Sequence, residues 1–137
     1  MIIFCDVSDK LHDPNFIDIL SCCLFDQSPA SIEKALHTPG ELFFGWIENS
    51  RLIAVCGFLE HEDRIEICHL AVANFARGRG VGKAMVSALD EAYCMTIEAK
   101  TYDEAVGFYR KCGFDAFAFI KSYYGIKYQR YRCVRKL

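Results

Sequence analysis

Two hydrophobic periods alternate along the chain. Residues 1–7 read as a strand. Over residues 14–25, apolar side chains fall at 16, 17, 19, 20, 23 and 24, the three-to-four spacing of a helix. A second short helix is predicted over 31–36, with Ser28 or Ser31 as its cap. Pro39-Gly40 breaks that pattern. Residues 41–48 and 52–59 are strand-like, and Asn49-Ser50 between them predicts a hairpin. A third such run, 64–73, follows a charged turn at Glu62-Asp63. Residues 81–93 return to the helical period and 94–99 form a short strand. Residues 103–112 make a helix that Asp103 can cap and Gly113 can end. Residues 114–120 and 127–134 close the chain as a strand pair.

The order β-α-α-β-β-β-α-β-α-β-β combines consecutive strands with strand-helix-strand crossovers. It predicts an α/β (α+β) fold: a mixed, mostly antiparallel twisted sheet of about six to seven strands, with about four helices on its two faces. No repeat, low-complexity tract or linker interrupts the pattern, so residues 1–137 read as a single domain.

Composition narrows the class. The formal net charge of −2 supplies no overall basic field, which argues against a nucleic-acid partner. The basic carboxyl-terminal run (Lys127, Arg130, Arg132, Arg135, Lys136) reads as a solvated strand face. An RNA site built on those charges and Tyr123, Tyr124, Tyr128 and Tyr131 is a weaker reading. No apolar run approaches the ~20 residues of a membrane span, and the amino terminus turns polar at Asp6. The eight cysteines include no CxxC pair and no zinc spacing. Most lie in apolar runs, where a free thiol packs as a small hydrophobe. These features predict a cytoplasmic protein with free thiols, no metal and no membrane contact.

The densest chemistry lies at Arg77-Gly78-Arg79-Gly80-Val81-Gly82. Glycines at alternate positions allow a tight turn and close approach to a ligand. The following helix directs free N–H groups and its positive dipole end at that turn, an anion site suited to phosphate. Two arginines add charge-assisted hydrogen bonds. A Walker A loop is excluded, because Gly78 is too close to Gly82-Lys83 and Ala84 offers no hydroxyl. A dinucleotide fingerprint is excluded because its third glycine would fall on Lys83 or Met85, and a strand meander precedes the turn.

Arg77-x-x-Gly80-x-Gly82 matches the Q/R-x-x-G-x-G/A pattern of the GNAT N-acetyltransferases. The run "HLAVANFARGRGVGKAMVSAL" resembles that family's signature of strand, loop, glycine turn and helix. "EAVGFYRKCGF", from Glu104 to Phe114, resembles its second motif at the right distance downstream. The resemblance implies the GNAT fold and acetyl-CoA as the acyl-donor co-substrate. It implies an amine acceptor, small molecule or protein, and leaves a homodimer open. Leu70 and Val72 occupy strand positions whose backbone pairs with the pantetheine arm in the family. Arg77, Gly78, Arg79, Gly80, Gly82 and Lys83 occupy the pyrophosphate loop. Tyr109 occupies the position of the tyrosine near the thioester sulfur, and a neutral phenol can protonate a departing thiolate. One position departs from the pattern: Tyr102 stands where the family often has a coenzyme-binding Asn.

Glu66 and His69 are the candidate bases. Glu66 lies eleven residues before Arg77, the spacing of the base glutamate in the histone-acetylating branch of the family. By strict alternation Glu66 shares a face with Cys68, Leu70 and Val72, and His69 faces the other way. His69 reads as a satisfied interior histidine, and His12, His37 and His61 carry no signal. The expected function is acetyl transfer to a primary amine by direct attack in a ternary complex. The alternative is a non-catalytic acyl-CoA-binding or sensing domain on the same fold. In the family, acceptor pockets come from the early helices and the late hairpin. Here Asp13, Asp18, Asp26 and Glu33 could attract a cationic amine.

Overall fold

The computed structural model describes residues 1–24 and 26–136. Seven strands form one sheet: β1 (Ile2–Asp6), β2 (Leu42–Glu48), β3 (Arg51–Glu60), β4 (Arg64–Val72), β5 (Thr96–Thr101), β6 (Asp115–Tyr123) and β7 (Ile126–Arg135). Their spatial order is β1-β2-β3-β4-β5-β7-β6. Among the described residues, only β4 and β5 pair in parallel. Their connection carries α3 (Val81–Tyr93), as a parallel crossover requires. The other helices are α1 (Pro14–Ser21), α2 (Pro29–Leu36) and α4 (Asp103–Lys111).

Each face of the sheet has its own core. Ala54, Cys56, Phe58, Ile65 and Ile67 pack with Met85, Val86 and Leu89 of α3 and with Val106 and Tyr109 of α4. On the other face Phe43, Val55 and Ala71 pack with Phe16, Ile19 and Leu20 of α1 and with Ala35 and Leu36 of α2. Strand β3 is buried on both sides over most of its length, which explains its unbroken apolar run.

The element boundaries differ from the sequence pattern for local reasons. Helix α1 ends at Ser21, and Phe25 at the end of its predicted span lies outside the described residues. Helix α2 begins two residues early because Ser28 is the cap, its Oγ accepting from Ser31 N at 3.3 Å. Strand β5 begins late because Cys94, at φ 52°, is the left-handed residue that ends α3. Asn49 and Ser50 both have positive φ, as a two-residue hairpin turn demands, and Tyr124-Gly125 repeats the device between β6 and β7. Asp103 does not cap α4. The N-cap is Tyr102, with no side-chain bond, and the Asp103 carboxylate accepts the Tyr131 hydroxyl at 2.7 Å.

The largest departure is a bulge in β4. Phe58 pairs with Ile67 but Gly57 pairs with His69, so Cys68 is an extra residue. Alternation is reset there. Glu66 opposes Leu59 while Leu70 opposes Cys56, which puts Glu66 on the opposite face from Leu70 and Val72. The expected sharing of a face is therefore overturned. Glu66 and His69 lie on the same face, that of α1 and α2.

Candidate functional site

Strands β4 and β5 part company at the bulge. Their parallel pairing runs from Arg64↔Thr96 to Ile67↔Ala99 and stops, yet β4 continues to Val72 and β5 to Thr101. Two backbone edges therefore face each other across an open wedge. Ala73 N donates to Ile53 O, so the carbonyl of the same peptide, Val72 O, points to the opposite edge of β4, into the wedge. There Arg77 Nε donates to it at 3.2 Å. Leu70 and Val72 thus lie on the segment of β4 that β5 leaves unpaired.

The glycine turn closes the same end of the wedge. Gly78 and Gly80 have φ of 78° and 77°, and Gly80 is the N-cap of α3. No heavy atom lies within 4 Å of a Cβ built on either, so space is open beside the first N–H groups of the helix. Gly82 is different. A Cβ there would stand 2.9 Å from Phe108 Cε1, so this glycine lets α3 and α4 pack closely. Lys83 and Gly80 line a groove of about 510 Å³ along α3, with Trp46 as its opposite wall. The Arg79 guanidinium is engaged elsewhere: Nη2 donates to Glu48 Oε2 at 2.5 Å. That bond, with one from Trp46 Nε1, holds the Glu48 carboxyl below its usual range.

Tyr109 lies on α4 and is buried, with edge-on ring contacts to Phe108 and Phe114. Burial pushes its phenol upward, and the surrounding thiols add to that. The phenol therefore stays protonated throughout the ordinary pH range. Tyr102 stacks under the Arg130 guanidinium at 4.4 Å.

On the α1/α2 face, three acid-base groupings flank the wedge. Glu66 Oε1 lies 2.8 Å from His61 Nε2, so His61 is a partner that sequence reading passed over. Glu98, adjacent to Glu66 in the parallel register, holds Arg132 at 3.1 Å and Arg64 at 3.4 Å. His69 Nδ1 lies 2.6 Å from Glu41 Oε2, and its ring stacks on Phe43. Glu41 was not anticipated at all. Its one sequence signal was a carboxylate opening an apolar strand after Pro39-Gly40.

Cys23 is the other surprise. It comes from the turn after α1 and reaches the β4 backbone, where the Leu70 N–H favours its thiolate. Burial outweighs that bond and lifts the thiol to about 11. Cys68, the bulge residue, is lifted to about 12 by burial and by the Glu41 and Glu66 charges. Both are protonated at neutral pH and are poor nucleophiles.

A parted parallel strand pair, with a glycine turn and helix N-terminus at its open end, defines a protein that can hold an extended ligand ending in phosphate. The chain belongs to the acetyltransferase (GNAT) domain family, whose model matches residues 39–116, more than half of its length. Solved structures resemble it over nearly the whole chain. An IAA acetyltransferase from Bacillus cereus aligns with TM-score 0.73 and 22% identity, covering 100% of both chains. A GNAT family acetyltransferase from Elizabethkingia anophelis with acetyl-CoA bound gives 0.75 and 17%, covering 99% of this chain and 98% of that one. The ribosomal-protein-S18-alanine N-acetyltransferase from Escherichia coli gives 0.76 and 15%, covering 99% and 94%. At these identities the likeness is one of fold. A search of curated proteins finds no match. No helix among the described residues is long and apolar enough to cross a membrane.

Proposed function

We propose that this chain is one catalytic domain over residues 1–137 that moves an acetyl group from acetyl-CoA to a primary amine. The wedge between β4 and β5, with the glycine turn at its open end, is the observation that carries this reading. The free edge of β4 from Cys68 to Val72 pairs with the amide-bearing arm as an added strand would. Gly78, Gly80 and the first N–H groups of α3 receive the pyrophosphate, with Lys83 and Arg77 supplying positive charge. Gly82 serves that loop by letting the helix start approach α4. Arg79 contributes its backbone N–H, because its side chain is held by Glu48.

An amine acceptor arrives from the α1/α2 face. Its ammonium form has no lone pair, so a proton must leave first. Glu66 accepts that proton, directly or through water, and His61 beside it disperses the charge. The amine nitrogen then bonds to the thioester carbonyl carbon. A backbone N–H on the edge of β4 that β5 leaves unpaired is suited to the oxygen that gains charge. The carbon–sulfur bond breaks as Tyr109 donates its proton to the sulfur, and the second proton of the attacking nitrogen leaves through water and restores the Tyr109 phenol. Much of the acceleration comes from holding both reactants in line.

Thiol release from acetyl-CoA, measured across a panel of amines, tests this reading. Release that depends on an amine supports it. Tight coenzyme binding with no release for any amine would favour a sensing domain.

A further inference from the structure

Among the described residues, no helix packs extensively on one side of the half of the sheet beyond the wedge. Helix α4 packs on β5, β6 and β7 from the Tyr109 face, whereas α1 packs on β3 and β4. On the uncovered face, Lys100, Arg130, Arg132 and Lys121 surround Phe117 and Phe119 in a cavity of about 360 Å³. That is the size of a small-ligand pocket.

Carboxylates compensate few of its charges, although the Arg130 guanidinium lies over the Tyr102 ring and the Lys121 ammonium over the Tyr123 ring. Lys100 and Arg132 are directly opposite on neighbouring strands, a like-charge placement that destabilises a sheet. Glu98 offsets Arg132. Among the described residues, no carboxylate lies within 4.0 Å of the charged nitrogens of Lys100, Lys121 or Arg130. Arg130 Nε is buried with no hydrogen bond among them. These cations gather on a chain whose net charge is −2. Beside them Phe117 is 55% exposed, a large apolar ring left in water.

Position ties the cavity to the wedge. Lys100 follows Ala99, the last β5 residue that pairs with β4, so it stands at the mouth of the opening. From β5 across β7 to β6 is two strand spacings, about 10 Å, the length of a small molecule. A ligand with its acid among these cations and its ring on Phe117 and Phe119 would direct its other end toward the wedge.

We infer that the acceptor is a small amine carrying a carboxylate or phosphate on a flat apolar body, with Lys100, Arg130 and Arg132 receiving the acid. This rests on the acetyltransferase reading and supplies its substrate class. It runs opposite to the cationic amine suggested by acidic residues near the amino terminus. A polyanion such as RNA fits less well, because the rest of the chain is net acidic.

The probes are 4-(aminomethyl)benzoate, its phosphonate counterpart and the neutral 4-(aminomethyl)benzamide, titrated by NMR with and without acetyl-CoA. An acidic probe is expected to bind at least about tenfold more tightly than the amide, the scale of one charge-assisted hydrogen bond. The carboxylate and phosphonate arms distinguish the two acids. Lys100→Glu and Lys121→Glu, both at exposed positions, should each remove most of that preference and leave the acetyl-CoA melting shift intact. Equal binding of acid and amide overturns the inference. So does no binding on the order of 10 mM, a weakness below any useful pocket affinity, or an unchanged preference in both variants. Displacement of the probe by an RNA oligonucleotide, with a steep salt dependence, would overturn it in favour of nucleic acid. A wild-type protein that prefers the acid but shows no acetyl-CoA shift would sink the acetyltransferase reading instead.

Discussion

Glu41 and His69 stand 28 positions apart in sequence and meet at 2.6 Å beneath the point where β4 leaves β5. Glu41 is almost wholly buried, and its second oxygen has no hydrogen bond among the described residues. Gly57, on the strand between them, leaves the space they need. A Cβ there would collide with Glu41 Oε2 and stand 2.6 Å from Phe43 Cε1.

His69→Leu should therefore destabilise the protein by about 3–5 kcal/mol, the usual cost of stranding one member of a buried pair. Glu41→Leu combined with His69→Leu should recover much of that loss. Gly57→Ala should cost about 1–3 kcal/mol as overpacking. Denaturant melts of the four proteins check this. A His69→Leu loss below ~1 kcal/mol would mean the pair carries no buried charge.

The glycines of the turn should separate by readout. Gly80→Ala should cost roughly 1–2 kcal/mol through its left-handed backbone, since no neighbouring atom obstructs the Cβ. A bulky residue at Gly80 should abolish the melting shift with acetyl-CoA while the protein stays folded. Gly82→Val should lower stability itself, because its side chain meets Phe108. A normal coenzyme shift in the folded Gly80 variant would remove the turn from phosphate binding.

Tyr109→Phe should lower kcat by about 10²–10⁴-fold, the range of a positioned acid, with coenzyme affinity nearly unchanged. Its stability should also depend differently on pH. The folded phenol is raised above its unfolded value near 10, so the unfolded chain loses the proton first. The stability tied to this group is complete below about pH 10 and is lost as pH rises toward the folded value. Alkaline melts of the Phe variant should lack that component. A folded variant with wild-type kcat would leave Tyr109 as packing alone.

Glu66→Gln should reduce turnover most at low pH, where the acceptor amine is hardest to deprotonate, and should spare acetyl-CoA binding. A pH–rate profile superimposable on wild type would exclude Glu66 as the base.

Thiol labelling should follow burial. In the folded protein at pH 8, exposed Cys22 and Cys94 should alkylate first. Cys23, lifted to about 11, and Cys68, lifted to about 12, should lag because little thiolate is present. All eight thiols should react once the chain is unfolded. Rapid labelling of Cys23 in the folded state would contradict its place against the β4 backbone.

The sequence by itself determined the element order, the glycine turn before α3 and the Phe108-Tyr109 helix. Each depends on periodicity or on a local conformation that few residues can adopt. Asn49-Ser50 and Gly113 announced their turns for the same reason. The tertiary structure decided which side chains share a face. One extra residue at Cys68 reverses alternation in β4, and a bulge leaves no mark in an apolar run that reads the same with or without it. Glu66 consequently joined His69, against strict period-two counting. Glu41, Cys23 and the cation cluster around Phe117 were equally hidden. Their partners are distant in the chain, and only closing the sheet brings them within reach, whereas a sequence pattern reports neighbours along the backbone.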